Sequence, residues 1–406
     1  MARILFVADI HIGIRYPYQI DYRTGLSQRT LDFVETLEKI VIKAIHEKID
    51  IFVIAGDLFD RVNVGPTLLR QVREKIWSKF IASNIQLIII GGNHDSPQIT
   101  EKGAPFGELT NFSNCFVTRL PKSVTIYVPS TEEEIGFILI PYMTPTQLLE
   151  HIERNMGETI PRDKRLLRMQ EWMEIWIKRQ IQSLNTSAKF IVGHFFVSGS
   201  KIGKIPYPDQ LPHEFVVKKQ MLPLDQIDLA VFGHIHTPQT IYHDKVLIPG
   251  SIERVDFGEV NEKKGFYIYD TESKTLSFHS SKPRRLTRTQ IVVPDGSSDP
   301  TNTILKQLPD TLEDIVLRLD ISISPSVKKR INMPKLIAQL EKAFHYEILW
   351  QRMEDIKPTI LESFTLDPRH LFDDYIKDQC KDFPYQKELL QTGKEILDEA
   401  LLEVDE

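Results

Sequence analysis

Short apolar segments alternate with stretches of helical periodicity over the first 280 residues of the chain. Most of the apolar segments are continuous rather than alternating, which is typical of strands that are buried on both faces. They predict strands at Ile4–Ala8, Ile51–Ala55, Leu87–Ile90, Gly136–Pro141, Phe190–Val192, Leu229–Phe232, Val246–Pro249 and Gly265–Tyr269. Apolar residues at helical spacing predict helices over 28–48, 66–82 and 162–184. The alternation therefore predicts an α/β fold.

The composition changes after this region. Residues 281–301 are rich in Pro, Gly and Ser, which is typical of linkers and loops. Beyond them the pattern predicts a strand at Ile315–Ile323, a helix at Pro334–Phe344 and a strand at Tyr346–Trp350. We therefore predict a large α/β domain at 1–285 and a small α+β domain at 286–366.

Residues 367–406 form a third region, which we predict to be two helices separated near Pro384. Segment 371–406 holds four Lys against eleven Asp or Glu, so it carries a net charge of −7 in a chain of net charge −6. The second helix has an apolar stripe formed by Leu389, Leu390, Ile396, Leu397, Leu401 and Val404. Such a stripe either packs on the body of its own chain or docks on a partner.

The bulk composition is that of a soluble globular protein of 406 residues, with 41% hydrophobic and 26% charged residues. No apolar run reaches the roughly 18–20 residues that a membrane helix needs, and no leader-like segment precedes the first strand. The chain has two cysteines, Cys115 and Cys380, which are far apart in sequence. We therefore expect no disulfide framework, which fits a reducing compartment. We expect a cytoplasmic protein that does not associate with membranes. The chain lacks a Gly-rich loop ending in Lys-Ser or Lys-Thr, so we do not expect it to hydrolyse ATP itself.

Polar side chains that can bind a metal follow five of the apolar segments directly. The five blocks are Asp9-Ile10-His11, Gly56-Asp57-Leu58-Phe59-Asp60, Gly92-Asn93-His94-Asp95, Gly193-His194 and Gly233-His234-Ile235-His236. One such residue after a strand is usually a helix cap or a turn residue. Five blocks in one chain are hard to explain in that way. Because open α/β sheets place their sites at the carboxyl ends of strands, the blocks predict a metal centre there.

The chemistry of these side chains favours two ions. Carboxylates, an amide and imidazoles without a thiolate suit Mn²⁺ or Fe²⁺ and can accept Zn²⁺. The candidate ligands are Asp9, His11, Asp57, Asn93, His194, His234 and His236. Seven ligands exceed what one ion needs, and a carboxylate can bridge two ions about 3.5–4 Å apart, as in two-metal phosphoesterases.

Taken in order, the five blocks resemble the calcineurin-like metallophosphoesterase family. A narrower likeness lies in Pro249–Glu259 and Lys264–Ile268, which are similar to the nuclease of the SbcC–SbcD complex and its archaeal counterparts. The stretch Val316–Ile321 resembles the DNA-capping domain of those nucleases, and the acidic tail resembles the segment that grips the coiled coil of the partner ATPase. The resemblance implies a four-layer αββα sandwich, a small α+β capping domain at 286–366 and a helical ATPase-binding tail at 367–406.

The resemblance also implies a role for each residue of the metal blocks. The first ion would be held by Asp9, His11, Asp57 and His236, and the second by Asp57, Asn93, His194 and His234. His94 would be a catalytic histidine that does not bind metal, and Asp95 would orient it. Many archaeal and eukaryal members carry a second histidine where this chain has Asp60, as bacterial SbcD proteins do, so the role of Asp60 is left open.

The function that the resemblance implies is a Mn²⁺-dependent 3′–5′ exonuclease and single-strand endonuclease acting on DNA ends and hairpins in double-strand break repair. It would use two Mn²⁺ ions, with Mg²⁺, Fe²⁺ or Zn²⁺ as alternatives, form a homodimer through the nuclease domain, and work with an SbcC-type ABC ATPase. Candidate DNA contacts are Lys201, Lys204, Lys218, Lys219, Lys328, Lys329 and Arg330, with Lys282, Arg284, Arg285 and Arg288 at the domain junction. Each basic cluster is also consistent with a solvated face.

Two other functions fit the same residues. One is a two-metal phosphodiesterase or phosphatase of the same superfamily that acts on cyclic nucleotides, phosphoproteins or phosphate monoesters. The other is a scaffold that tethers DNA ends without cutting them, although such a scaffold would not need His94.

Overall fold

A computed structural model of the chain describes residues 2–14, 19–96, 103–157, 159–202, 205–206, 214–351, 376, 386 and 388–394. Lys204 lies outside these residues, as do 352–366 of the predicted capping domain and most of the predicted tail, including Ile396, Leu397, Leu401 and Val404.

The strands, in chain order, are β1 Arg3–Val7, β2 Ile51–Ala55, β3 Gln86–Ile90, β4 Cys115–Thr118, β5 Lys122–Val128, β6 Glu133–Ile140, β7 Ala188–His194, β8 Phe196–Val197, β9 Lys201–Ile202, β10 Ile205–Pro206, β11 Val216–Val217, β12 Leu229–Gly233, β13 Gln239–Ile241, β14 Val246–Ile248, β15 Gly265–Asp270, β16 Thr275–Ser280, β17 Leu286–Val292, β18 Val316–Ser322 and β19 His345–Gln351.

The α-helices are α1 Gln28–His46, α2 Pro66–Val72, α3 Ser78–Ile81, α4 Pro145–Met156, α5 Arg165–Ser183, α6 Pro300–Leu305, α7 Pro325–Lys328 and α8 Met333–Leu340. A π-helical turn at Arg73–Trp77 joins α2 to α3, and short 3₁₀ turns occur at Gly107–Asn111, Arg162–Lys164, Lys219–Met221 and Phe257–Glu259. No helix among the described residues combines the length and the apolar character that crossing a membrane requires.

Two six-stranded mixed sheets form the centre of the molecule. The first has the order β16-β15-β1-β2-β3-β4, in which β1 to β4 are parallel, and the second has the order β13-β14-β12-β7-β6-β5, in which β14, β12, β7 and β6 are parallel. Parallel neighbours end at the same edge of a sheet, so the segments after β1, β2 and β3 lie together, as do those after β7 and β12.

The two sheets pack face to face, and helices cover both outer faces. Successive side chains of a strand point to opposite faces, so Val53 of β2 packs between the sheets while Phe52 and Ile54 pack under α1 and the α2–α3 segment. The outer face of the second sheet packs on α4 and α5. This arrangement confirms the predicted four-layer αββα sandwich.

A third, parallel sheet of order β17-β18-β19 has its own apolar core with α6 and α8. It is joined to the sandwich by Arg284, whose guanidinium donates to both carboxylate oxygens of Asp32 in α1 at 2.6 and 2.8 Å. Asp32 also accepts a hydrogen bond from the buried Arg29, which donates to Glu253 at 2.8 Å. Buried charges need partners of this kind, so these ion pairs hold the junction.

The eight predicted strands and three predicted helices of the first 280 residues are confirmed, although the helix predicted at 66–82 is interrupted by the π-helical turn. The interpretation of 281–301 as linker and loop was wrong for Leu286–Val292, which forms β17. Helix α4 was not predicted, although its capping box is visible in the sequence: the Thr144 hydroxyl accepts from the Gln147 amide, and the Gln147 side chain accepts from the Thr144 amide.

We expect Phe190→Ala to lower the free energy of unfolding by about 3–5 kcal/mol, because it opens a cavity between the sheets. Phe190 is fully buried, and its ring centroid lies 5.9 Å from that of Phe6 and 5.3 Å from those of Phe137 and Tyr269. Urea unfolding measures the change. Tyr127→Ala is the matched control, because Tyr127 is 54% exposed and its loss should change stability by no more than about 0.5 kcal/mol.

Candidate metal centre

The predicted metal-binding blocks meet at the carboxyl ends of the two central sheets. Asp9 and His11 follow β1, Asp57 follows β2, and Asn93 and His94 follow β3 of the first sheet. His194 ends β7, and His234 and His236 follow β12 of the second sheet. Because the sheets stack face to face, the two groups of loops face each other across one cleft.

The backbone is strained where it presents these side chains. Asp9, His11, Asp57 and His234 have φ values of 49°, 51°, 50° and 94°, in the left-handed region that non-glycine residues rarely adopt. Such conformations cost about 1–3 kcal/mol each and persist only where the surrounding structure fixes them. Four of them among the predicted ligands indicate a functional site.

Two glycines allow the loops to approach closely. A Cβ at Gly56 would lie 2.1 Å from the His194 Nδ1 atom, and φ at Gly56 is 87°. A Cβ at Gly92 would lie 2.1 Å from Asp57 Oδ1. Neither position can hold a side chain, so the packing requires glycine directly before Asp57 and directly before Asn93.

One cluster is formed by Asp9, His11 and His236, whose ligand atoms all lie within 4.8 Å of one another. The Nε2 atoms of His11 and His236 are 3.0 Å apart. His236 Nδ1 lies 2.8 Å from Glu259 Oε1, a carboxylate oxygen that can only accept, so the proton is on Nδ1 and the Nε2 lone pair faces the cluster.

The second cluster is formed by Asp57, His194 and His234, with the same 4.8 Å limit. His194 Nδ1 donates to the Ala55 carbonyl at 2.8 Å, so Nε2 is the atom that faces Asn93 Oδ1 at 3.0 Å and Asp57 Oδ2 at 3.2 Å. Asn93 Oδ1 is also 2.8 Å from His234 Nδ1. Four possible ligand side chains, Asp57, Asn93, His194 and His234, thus converge here.

Asp57 lies between the two clusters. Its Oδ1 accepts from the backbone amide of His94 at 2.8 Å, while its Oδ2 lies 3.2 Å from His194 Nε2 and 3.8 Å from His11 Nε2. A single carboxylate therefore faces ligands of both clusters, which is the position that a bridging ligand occupies.

The electrostatics of the cleft reflect this crowding. Burial opposes ionisation of Asp57, but the neighbouring imidazoles of His194 and His11 hold the pKa of Asp57 well below its usual range. Burial likewise opposes protonation of His194, but the Asp57 carboxylate raises the pKa of His194 to about 9. Burial and the nearby His194 lower the pKa of His234 to about 3, so His234 is neutral. A cation bound here would replace the proton that His194 otherwise holds.

The donor set fits a divalent metal ion. It consists of carboxylate and amide oxygens and imidazole nitrogens, which suit Mn²⁺, Fe²⁺ or Zn²⁺.

A family model for calcineurin-like phosphoesterases matches residues 2–238. The chain belongs to this family. It is 29% identical over 276 residues to the SbcD subunit of the SbcCD nuclease of Bacillus subtilis, a match that covers 66% of each chain. It is 26% identical over 290 residues to the protein of the same name from Staphylococcus epidermidis, a match that covers 70% of each chain. Among solved structures, GAP50, the anchor in the inner membrane complex of Plasmodium, is similar with a TM-score of 0.41 and 14% identity over 69% of this chain and 85% of that one.

His94 is the most exposed histidine of this phosphoesterase centre, with 42% of its side chain accessible. It lies close enough to His11 and Asp57 to form a third possible metal-binding group, so distance alone does not separate a ligand from a catalytic role. Its Nδ1 is 3.0 Å from the backbone carbonyl of Asp60, which can only accept, so Nδ1 carries a proton and Nε2 is on the side of the ring away from Asp60.

The predicted contact between Asp95 and the His94 ring was wrong. The Asp95 carboxylate is fully buried and accepts from the backbone amides of Leu58 at 2.8 Å, Phe59 at 3.2 Å and Gly92 at 2.8 Å. Burial and the nearby Asp57 raise the pKa of Asp95 to about 7. Asp95 therefore fixes the loop after β2 to the loop after β3, and the Asp60 carbonyl takes the place at His94 Nδ1.

The Asp60 carboxylate does not face His94 closely. Its Oδ2 accepts from Arg61 at 2.6 Å, and its Oδ1 lies 3.7 Å from His11 Nδ1 and 3.9 Å from His94 Nδ1. Burial alone would raise the pKa of Asp60, but His11 and Arg61 lower it. The Asp60 carboxylate is therefore an anion at the rim of the cleft.

The predicted DNA-contacting residues are not all available for phosphate. Lys201 and Lys219 are exposed on the segment after His194, and Lys328 and Lys329 are exposed at the end of α7. Arg330 is also exposed, but it donates to the carbonyls of Ser297 and Ser298 at 2.8 and 2.9 Å. At the junction, Arg284 pairs with Asp32 and Arg288 pairs with Asp320. Lys218 is half-buried, and Lys204 is outside the described residues.

Sequence reasoning missed the residues that surround the ligands. Tyr142 and Phe196 place their ring centroids 5.7 and 4.0 Å from that of His234, and Glu259 contacts His236. Glu259 lies within Pro249–Glu259, the stretch that carries the narrower resemblance, and Phe196 lies two residues after His194, whereas no sequence signal pointed to Tyr142.

We expect Asp57→Ala to weaken the binding of two ions and Asp9→Ala to weaken that of one. Asp57 faces both clusters, whereas Asp9 belongs to one. The loss of Mn²⁺ affinity should exceed the ~10–100-fold that is typical when only a hydrogen-bond partner of a metal ligand is removed. Calorimetric titration of the metal-free protein with Mn²⁺ measures affinity and stoichiometry. Retention of one ion at unchanged affinity by Asp57→Ala would show that Asp57 serves a single site.

Proposed function

We propose that this phosphoesterase is a Mn²⁺-dependent nuclease that hydrolyses phosphodiester bonds at DNA ends and hairpins in double-strand break repair. One observation carries the proposal: Asp57 belongs to one ligand cluster and faces His11 of the other, and the exposed His94 lies beside both residues. Both bacterial relatives bear the name of a subunit of the SbcCD nuclease, which supports a nucleic-acid substrate.

Two ions fit the clusters. Asp9, His11, Asp57 and His236 would hold one, and Asp57, Asn93, His194 and His234 would hold the other. The oxygen and nitrogen donors favour Mn²⁺, with Mg²⁺, Fe²⁺ or Zn²⁺ as alternatives. Ions bound there would lower the pKa of water toward neutrality and neutralise charge on the phosphodiester.

His94 is the group of the chain itself that would move a proton. Its Nδ1 proton is held by the Asp60 carbonyl, so the ring is oriented and a proton on Nε2 can pass to the leaving oxygen of the sugar. The Asp60 carbonyl would then orient His94, a role that the family resemblance implied for Asp95.

Substrate would be held by charge rather than by base contacts. The exposed residues Lys201, Lys219, Lys328 and Lys329 can contact phosphates on a strand that enters the cleft. Contacts of this kind do not read sequence and weaken as salt concentration rises. In this proposal, residues 286–366 cap the DNA, and the nuclease domains of two copies form the dimer.

We expect the protein with Mn²⁺ to degrade a labelled DNA duplex and to open a DNA hairpin, and EDTA to abolish both activities. His94→Gln should reduce the rate by ~10²–10⁴-fold, because it removes the proton donor. The same variant should still bind Mn²⁺ as the wild type does, which elemental analysis and calorimetry measure.

p-Nitrophenyl phosphate and cyclic nucleotides serve as competing substrates in the same assay. Faster hydrolysis of these compounds than of DNA would favour another phosphoesterase on this fold and contradict the proposal. Binding of DNA ends without cleavage in any metal would indicate a tethering scaffold. Loss of metal from His94→Gln would place His94 among the ligands.

We further propose that residues 367–406 bind an SbcC-type ABC ATPase through its coiled coil. Deletion of this segment should spare Mn²⁺-dependent cleavage of short single strands, because every predicted ligand lies before it. The deletion should abolish co-purification with the ATPase and any ATP-dependent action on duplex ends.

The alternative is that the segment packs on its own nuclease domain. A truncated chain that assembles with the ATPase at normal stoichiometry would overturn the docking role. Unfolding of the truncated chain, measured by circular dichroism, would favour packing on the body.

A further inference from the structure

Glu259 is hydrogen-bonded to the ring nitrogen of His236 that faces away from the first ligand cluster. Its Oε1 accepts the Nδ1 proton of His236 at 2.8 Å, and the carboxylate side chain is 9% exposed. With Nδ1 fixed as the donor, Nε2 is left as the atom that faces the first cluster. Outer partners of this kind fix the tautomer and orientation of metal-binding histidines and raise their basicity.

Glu259 is itself held on its other oxygen. Oε2 accepts from the backbone amide of Val255 at 2.8 Å and pairs with Lys264 Nζ at 2.9 Å. The Lys264 ammonium is completely buried, donates to the His236 carbonyl at 2.9 Å, and pairs with Glu262 at 2.8 Å. A buried ammonium with three oxygen partners is well satisfied, so it locks both the backbone and the ring of His236.

Glu259 stands at the end of the 3₁₀ turn Phe257–Glu259, and the unit built on β17, β18 and β19 covers this turn. Phe257 and Val260 pack against Leu286 of β17 and Val316 of β18. The guanidinium of Arg318 also lies 5.7 Å from the Phe257 ring centroid. Further contacts join this unit to the sandwich: Arg284 donates to Asp32 at 2.6 and 2.8 Å, and the Phe344 carbonyl accepts from the Gln19 side chain at 2.9 Å.

We propose that Glu259 is a positioning residue for His236, and that residues 286–351 keep it in place by packing on Phe257. Movement of this unit is then transmitted through one short turn to a ligand of the metal centre. The inference rests on the proposed two-ion centre and adds to it a route by which DNA or a partner bound to the capping unit tunes one metal site.

The test is a titration of the metal-free full-length chain with Mn²⁺, followed by calorimetry and by the electron paramagnetic resonance signal of free Mn²⁺. Glu259→Gln keeps the size of the side chain and an accepting oxygen but removes its charge. We expect it to weaken one of the two ions by ~10–100-fold and to leave the other unchanged. Glu262→Gln is the matched control, because Glu262 shares Lys264 but does not contact His236; it should bind both ions as the wild type does.

Phe257→Ala tests whether packing of residues 286–351 on Phe257 affects the metal site. It also provides the test of the proposal if Glu259→Gln does not fold. It touches no predicted ligand, and it should weaken the same ion by a smaller factor, while Leu349→Ala on the exposed side of the same unit should have no effect. Wild-type binding of both ions by Glu259→Gln, equal weakening of both ions in Glu259→Gln and Glu262→Gln, or wild-type binding by Phe257→Ala would each overturn the proposal. A wild-type chain that binds two Mn²⁺ ions but cuts no DNA would refute the nuclease function and leave this inference standing.

Discussion

The Asp57 carboxylate is the point on which the arrangement of the cleft depends. It is buried among imidazoles, with His194 Nε2 at 3.2 Å and His11 Nε2 at 3.8 Å, and it also accepts the amide of His94. An isolated buried carboxylate would be costly, and here the neighbouring rings hold the pKa of Asp57 low. Two divalent ions would supply the same compensation more fully, because they place positive charge on both sides of one anion.

Bringing these groups together imposes constraints on the surrounding backbone. Gly56 and Gly92 leave no room for a side chain, and several predicted ligands have a left-handed backbone. The buried Asp95 ties the loops after β2 and β3 together by accepting backbone amides from both. Strain of this kind is kept only where the rest of the fold holds it, and here the core between the two sheets fixes the strand ends from which the loops start.

The unit built on β17, β18 and β19, called the cap below, contacts the sandwich through ion pairs as well as through apolar packing. Arg284, just before β17, bonds to Asp32 of helix α1, and Arg29 of the same helix bonds to Asp32 and to Glu253, so ion pairs connect β17, α1 and the segment that carries Glu253. Glu253 and Glu259 lie on one segment, Pro249–Glu259, which therefore contacts the ligand His236, helix α1 and the cap. The same segment carried the narrower family resemblance in the sequence.

The sequence by itself determined eight strands of the two central sheets, three of the helices that cover them and the candidate metal-binding side chains. Buried parallel strands read as continuous apolar runs, and ligands at Asp9, Asp57 and Asn93 follow such runs directly, so local pattern was sufficient. Only the tertiary structure decided which atoms meet. That Asp95 braces a loop while the Asp60 carbonyl holds His94, and that Glu259 reaches His236, depends on chain segments far apart in sequence. Local pattern carries no information about such contacts, because the first two form only when β2 and β3 pair in one sheet, and the third only when the Phe257–Glu259 turn meets the loop after β12.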